Sequence, residues 1–174
     1  MDMSTKVRRE VEPRWVTEYV VANYPNDEAR YRVPLDVIPK SIVEQFGESK
    51  AARAYRPWRP EVDAIVIQPN KLILIEGKIF KAMDGLAKLP VYASLVSTTP
   101  ELQAHVSKPR ELQLLVVRAL PWVLNAAKNS NVRVIEWAPP WIVQIWEERD
   151  KYWSPEAVAK RDQRKQKMQE AGLA

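Results

Sequence analysis

The 174-residue chain has no cysteine, one histidine and only four glycines. Without cysteine it can hold no disulfide framework, thiolate metal site, iron–sulfur cluster or cysteine nucleophile. With His105 alone, zinc sites built from several histidines are excluded, and any Ser-His-Asp triad would have to use that residue. His105 stands in the polar stretch "ELQAHVSKPRE" and reads as a surface or loop side chain. None of the glycines forms a G-x-G-x-x-G or G-x-x-x-x-G-K-S/T loop, so nucleotide-cradling folds that depend on such loops are disfavoured. No apolar run approaches the ~18 residues that read as a membrane span, and the charged N-terminus lacks the apolar segment of a signal peptide. An intracellular location is the simplest expectation. What remains for chemistry is carboxylate, lysine and a hard metal held through oxygen.

The apolar fraction of 46% suits a single globular domain with a proper core. A net charge of +5 tilts the expectation towards a polyanionic partner. Residues 11–24 carry Trp15, Tyr19 and Ala22 at helical spacing and predict a helix from near Pro13 to before Pro25. "ARYRVPL" predicts a short strand and "SIVEQFG" a short helix or turn closed by Gly47. Two apolar runs, 63–68 and 71–76, flank a turn at Pro69-Asn70. "MDGLAKLPVYASLVS" reads as helical despite Pro90, and a strand (112–120), a helix (121–129) and a strand (132–137) follow. That order predicts an α/β sandwich around a mixed sheet. Beyond Pro139-Pro140 the composition changes. "WIVQIWEERDKYW" concentrates three of the seven tryptophans, and "SPEAVAKRDQRKQKMQEAG" opens with a helix-start pattern, Ser154 as N-cap. A main domain over 1–150 and a basic helical extension over 151–174 are expected. The Trp-rich segment and the last helix are candidates for contact with a protein partner, or with nucleic acid through Lys160, Arg161, Arg164, Lys165 and Lys167.

The chemistry concentrates in "PEVDAIVIQPNKLILIEGK", residues 60–78. A two-residue turn pairs Gln68 with Lys71, Ile65 with Leu74 and Asp63 with Glu76. Side chains of directly opposed residues point to one face, about 4.5–5.5 Å apart at Cβ. Alternation puts Lys78 on the face of Glu76. Two carboxylates so close repel each other unless a cation sits between them. Mg²⁺ or Mn²⁺ suits the place, since a hard ion keeps several waters and leaves room for a phosphate. The lysine can orient an attacking water or a phosphate oxygen. In "RAYRPWRP", Arg53, Arg56, Trp58 and Arg59 mix cations with an aromatic, as phosphate and base-stacking contacts do.

This pattern resembles the PD-(D/E)xK nuclease superfamily. Pro60 and Asp63 stand where its loosely spaced "PD" belongs, and Glu76-Gly77-Lys78 is the E-x-K. The resemblance implies a restriction-endonuclease-like αβββαβ core over residues 11–120 and a metal-dependent activity on DNA. It implies Asp63, Glu76, the Gly77 carbonyl and an acid from the first helix, Glu18, as metal ligands, with Lys78 positioning the nucleophile. "KLPVY" places Lys88 and Tyr92 at the spacing of the Q-x-x-x-Y motif of the RecB-like branch, lysine standing for glutamine. The alternative from another class is a non-enzymatic component of a nucleoprotein or viral particle that keeps the nuclease fold.

Overall fold

A computed structural model describes residues 3–151 and 155–171, with side chains described over 11–148 and 155–171. Two compact units divide the chain, Met1–Trp137 and Ala138–Ala174. The division comes before the boundary expected near residue 150. Strand pairing ends at Glu136, and the Pro139-Pro140 pair cannot extend a strand but opens a new helix.

The first unit is an α/β layer structure. Helix α1 (Met3–Asn23) leads into β1 (Glu28–Pro34), then α2 (Lys40–Phe46), α3 (Glu48–Tyr55) and β2 (Glu61–Ile67). Strand β3 (Leu72–Lys78) is followed by α4 (Ala82–Leu95), β4 (Arg110–Val116), α5 (Pro121–Asn129) and β5 (Val132–Glu136). The five strands lie side by side in chain order. β1, β2 and β3 form an antiparallel meander, while β3, β4 and β5 run parallel. The two parallel crossovers use α4 and α5, as parallel pairing requires a long return connection.

Strands β2 and β3 are covered on both faces, which is why they read as near-continuous apolar runs. On one face Ile65, Ile67, Leu72 and Leu74 join Leu86, Leu89 and Tyr92 of α4 and Val123 and Ala127 of α5. On the other lies α1, with Trp15, Val16, Tyr19 and Val20 buried. Each fully buried side chain of this size contributes about 1.5–3 kcal/mol relative to exposure. The α1 layer is so close that a Cβ on Gly77 would stand 2.5 Å from Val16 Cγ2. A polar network ties α1 to the sheet at β4: buried Gln113 accepts from Tyr19 and Tyr24 hydroxyls at 3.0 and 3.2 Å.

The hairpin has the expected two-residue turn. Gln68 N–H donates to the Lys71 carbonyl at 3.0 Å, and the ladder runs Ile67–Leu72, Val66–Ile73, Ile65–Leu74, Ala64–Ile75. Pro13 lies inside α1 rather than at its start, and Pro90 lies inside α4. Each forfeits one helical N–H bond but is held in place by packing on the sheet. Helix α3 was not expected. Its single buried residue is Ala51, too weak a stripe for an apolar period to be read.

In the second unit α6 (Pro140–Lys151) precedes α7 (Pro155–Glu170), which buries none of its residues. Ser154, the expected N-cap, lies outside the described residues. Among the described residues no helix is long and apolar enough to cross a membrane.

Candidate active site

The C-terminal end of β3 carries the charged cluster. Ladder pairing is last seen at Ala64–Ile75, one step before Asp63 and Glu76. There the Asp63 side chain takes over: its Oδ2 accepts the Gly77 N–H at 2.9 Å. Glu76 is almost wholly buried, and its Oε1 contacts Lys78 Nζ at 3.0 Å and Lys88 Nζ at 3.7 Å. Its other oxygen, Oε2, is buried with no hydrogen-bond partner. An unpaired buried carboxylate oxygen costs more than a neutral polar atom would, so this oxygen calls for a cationic partner.

A third acid closes the cluster from α1. Glu12 Oε1 accepts the Ile79 N–H at 3.0 Å, and its Oε2 stands 3.4 Å from Lys78 Nζ. Lys78 therefore bridges the acid of α1 and the acid of β3. Glu12 was missed in the sequence, where Glu18 was the expected acid of the first helix. Glu18 pairs with Arg14 at 2.9 Å, one turn earlier on α1. Six residues are about 240° of helical rotation, so Glu18 lies off the face that carries Glu12. The signal was present in the helical period: Glu12 precedes Trp15, Val16 and Tyr19 by three, four and seven residues, the buried stripe itself.

The electrostatics follow from this crowding. Burial and then the charge of Glu76 push the Asp63 carboxyl up to about 7, against the opposing pull of Lys78 and the Gly77 N–H. Burial works against the Lys78 ammonium, but Glu76, Glu12 and Asp63 outweigh it and raise its pKa. Tyr92 is buried in the core beneath the cluster. Its phenol is pushed up by burial first and by Glu76 and Asp63 next. It packs in the core, with 4% of its surface exposed.

Of the expected phosphate contacts, Arg59 must be reassigned. Its side chain is 1% exposed and its guanidinium donates to the carbonyls of Leu35, Pro34 and Asp36 and to both oxygens of Glu101. With five acceptors already around it, it holds the β1–α2 connection to the Pro100–His105 turn and is not offered to a ligand. Arg56 is exposed but donates to the Arg32 carbonyl and to Glu61, two residues before Asp63. Arg53 is exposed on α3. Trp58, 72% exposed, stacks on Tyr55 with centroids 6.0 Å apart and planes at 22°. Lys88 reaches Glu76 from α4 with half of its side chain open to solvent.

The donors fit a hard divalent ion. In this cluster Glu76 Oε2 is buried without a hydrogen-bond partner and Asp63 has an oxygen besides the one on the Gly77 N–H, and such an ion would complete its shell with water and substrate. Among the described residues no group of three or more His, Cys, Asp or Glu side chains forms an all-protein cage.

No family model and no curated protein matches this chain. Among solved structures, Can2 from Sulfobacillus thermosulfidooxidans in complex with cyclic tetra-adenylate is similar with a TM-score of 0.39 and 15% identity. The match covers 80% of this chain and 34% of that one, so the chain spans about a third of that protein's length. A likeness this distant leaves the function to be argued from the site.

Proposed function

We propose that the chain is a metal-dependent nuclease that hydrolyses DNA phosphodiesters, built on a restriction-endonuclease-like core of the PD-(D/E)xK kind. The observation that carries this reading is the buried, unpartnered Glu76 Oε2 beside Asp63 and Lys78 at the carboxyl end of a parallel strand. Ligands of open α/β sheets favour that end. Asp63 and Glu76 would hold Mg²⁺ or Mn²⁺, which when bound polarises the phosphate and eases ionisation of the attacking water. Glu12, and not Glu18, is the acid that α1 brings to the cluster, and its part is to hold Lys78 and not the ion. It fixes Lys78 by direct contact, and Lys78 holds the water that attacks phosphorus. In the hydrolysis the water oxygen bonds to phosphorus, the phosphorus–oxygen bond to the sugar breaks, and the leaving alkoxide takes up a proton while the water gives one up.

Arg53 and the exposed Trp58 would contact the strand beyond the site, through phosphate and base stacking. The test is cleavage of linear duplex, nicked and single-stranded DNA in Mg²⁺ or Mn²⁺, with EDTA and Glu76→Ala as controls. Cleavage that needs the ion and is lost in Glu76→Ala is expected; cleavage that survives in Glu76→Ala places the chemistry elsewhere.

A second reading, a non-enzymatic component of a nucleoprotein particle, is favoured by α7, on which Lys160, Arg164, Lys165 and Lys167 are exposed. On that reading DNA is bound and no ion-dependent cleavage occurs in any of the same reactions.

A further inference from the structure

Gly85 sets how close α4 comes to the acids. A Cβ there would collide with Leu114 Cδ1 and stand 3.1 Å from Lys78 Cγ and 3.6 Å from Glu76 Cγ. The helix backbone therefore lies directly over the E-x-K segment. One turn further along, on the same face, is Lys88. Its ammonium is 3.7 Å from Glu76 Oε1, and its side chain is 50% exposed, against 12% for Lys78 and 2% for Glu76. Lys88 is thus the cation of the cluster that faces outward, where a substrate strand would lie.

The charges of the cluster are three carboxylates, Asp63 on the Gly77 N–H, Glu76 and Glu12, and two ammonium groups, Lys78 and Lys88. One divalent ion leaves the cluster one positive charge in excess, which a single phosphodiester neutralises. A second divalent ion would leave an excess of three. Ligands for it are also short. Glu12 is engaged through both oxygens, by the Ile79 N–H and Lys78.

We propose, resting on the nuclease reading above, that the site takes one divalent ion and that Lys88 is a catalytic residue in place of a second. Its ammonium donates hydrogen bonds to the scissile phosphate, stabilising the charge that builds there and on the leaving oxygen without giving up a proton. In the resting protein it leans on Glu76, and substrate draws it away.

The test pairs calorimetric titration of Mn²⁺ into wild-type and Lys88→Gln protein with their rates of DNA cleavage, melting curves confirming that both are folded. The wild type should bind one ion per chain. Lys88→Gln should bind it more tightly, on the order of tenfold, because a like charge beside the shared carboxylate is gone. Its kcat should fall about a hundredfold or more with little change in KM, as when one donor to a developing oxyanion is lost. Two ions per wild-type chain, or a Lys88→Gln protein unchanged in either affinity or kcat, overturns the proposal and leaves the nuclease reading standing. A wild type that neither binds Mn²⁺ nor cleaves overturns both.

Discussion

Replacing Asp63 by asparagine should make the metal-free protein more stable at neutral pH and remove its dependence on pH below that. The reason lies in where Asp63 sits. Its carboxyl goes from 3.8 to about 7 on folding, through burial first and the nearby Glu76 second. Between those values the folded protein keeps a proton that the unfolded chain has released, so stability falls as pH rises from about 4 to about 7 and is level above. Each pKa unit is worth about 1.4 kcal/mol, so the whole decline is at most about 4 kcal/mol. Asparagine cannot ionise, and its carbonyl oxygen can still accept the Gly77 N–H. Asp63→Asn should therefore follow the wild type near pH 4 and exceed it by about 2–3 kcal/mol at pH 8, less than the ceiling because Lys78 loses an anionic neighbour. Urea titrations in EDTA at pH 5, 6, 7 and 8 read this directly. A wild-type profile that is flat from pH 5 to 7, or one that Asp63→Asn merely shifts in parallel, would refute the placing of a strained, buried carboxylate at 63. Mg²⁺ should recover the lost stability at pH 8 in the wild type, by about 2.7 kcal/mol at a hundred times its Kd, and do little for Asp63→Asn.

Gly77→Ala should cost about 1–3 kcal/mol in melting experiments, because the new methyl stands 2.5 Å from Val16 Cγ2 and α1 must back away, taking Glu12 from Lys78. Arg59→Met should cost about 2–4 kcal/mol, since three carbonyls lose a buried donor while Glu101, 41% exposed, can turn to water; a loss under 1 kcal/mol in urea would deny its role as a clamp. Trp58→Ala should leave stability unchanged, as the ring is 72% exposed, yet weaken single-stranded DNA binding by about 1–3 kcal/mol; equal affinity by fluorescence anisotropy would remove it from the interface.

The hairpin was legible because its information is local. Alternation, a two-residue turn and the parity of Glu76 and Lys78 settle register and face without knowledge of the rest of the fold. The sequence points to Glu18 and not to Glu12 because Pro13 reads as a helix start, and Glu12 lies upstream of it. The helix in fact runs from Met3, and Glu12 lies on its buried stripe. Arg59 shows a different limit. An arginine between Trp58 and Pro60 looks like any basic loop residue, and its burial depends on carbonyls of Pro34–Asp36 and on Glu101, 42 residues away. Such partners are brought together by the fold alone. The same holds for Lys88, whose approach to Glu76 is permitted by a glycine one turn before it and by the packing of α4 on Leu114.

The nuclease reading depends on Asp63 and Glu76 sharing a divalent ion. The most direct measurement is anomalous diffraction from crystals of the wild-type protein soaked in Mn²⁺. The expected result is a single manganese peak within coordination distance of Glu76 Oε2 and an Asp63 oxygen, with Lys78 beside it and not in its place. Manganese elsewhere on the chain, or a fully soaked crystal in which Glu76 keeps only Lys78 and Lys88 for company, would contradict it.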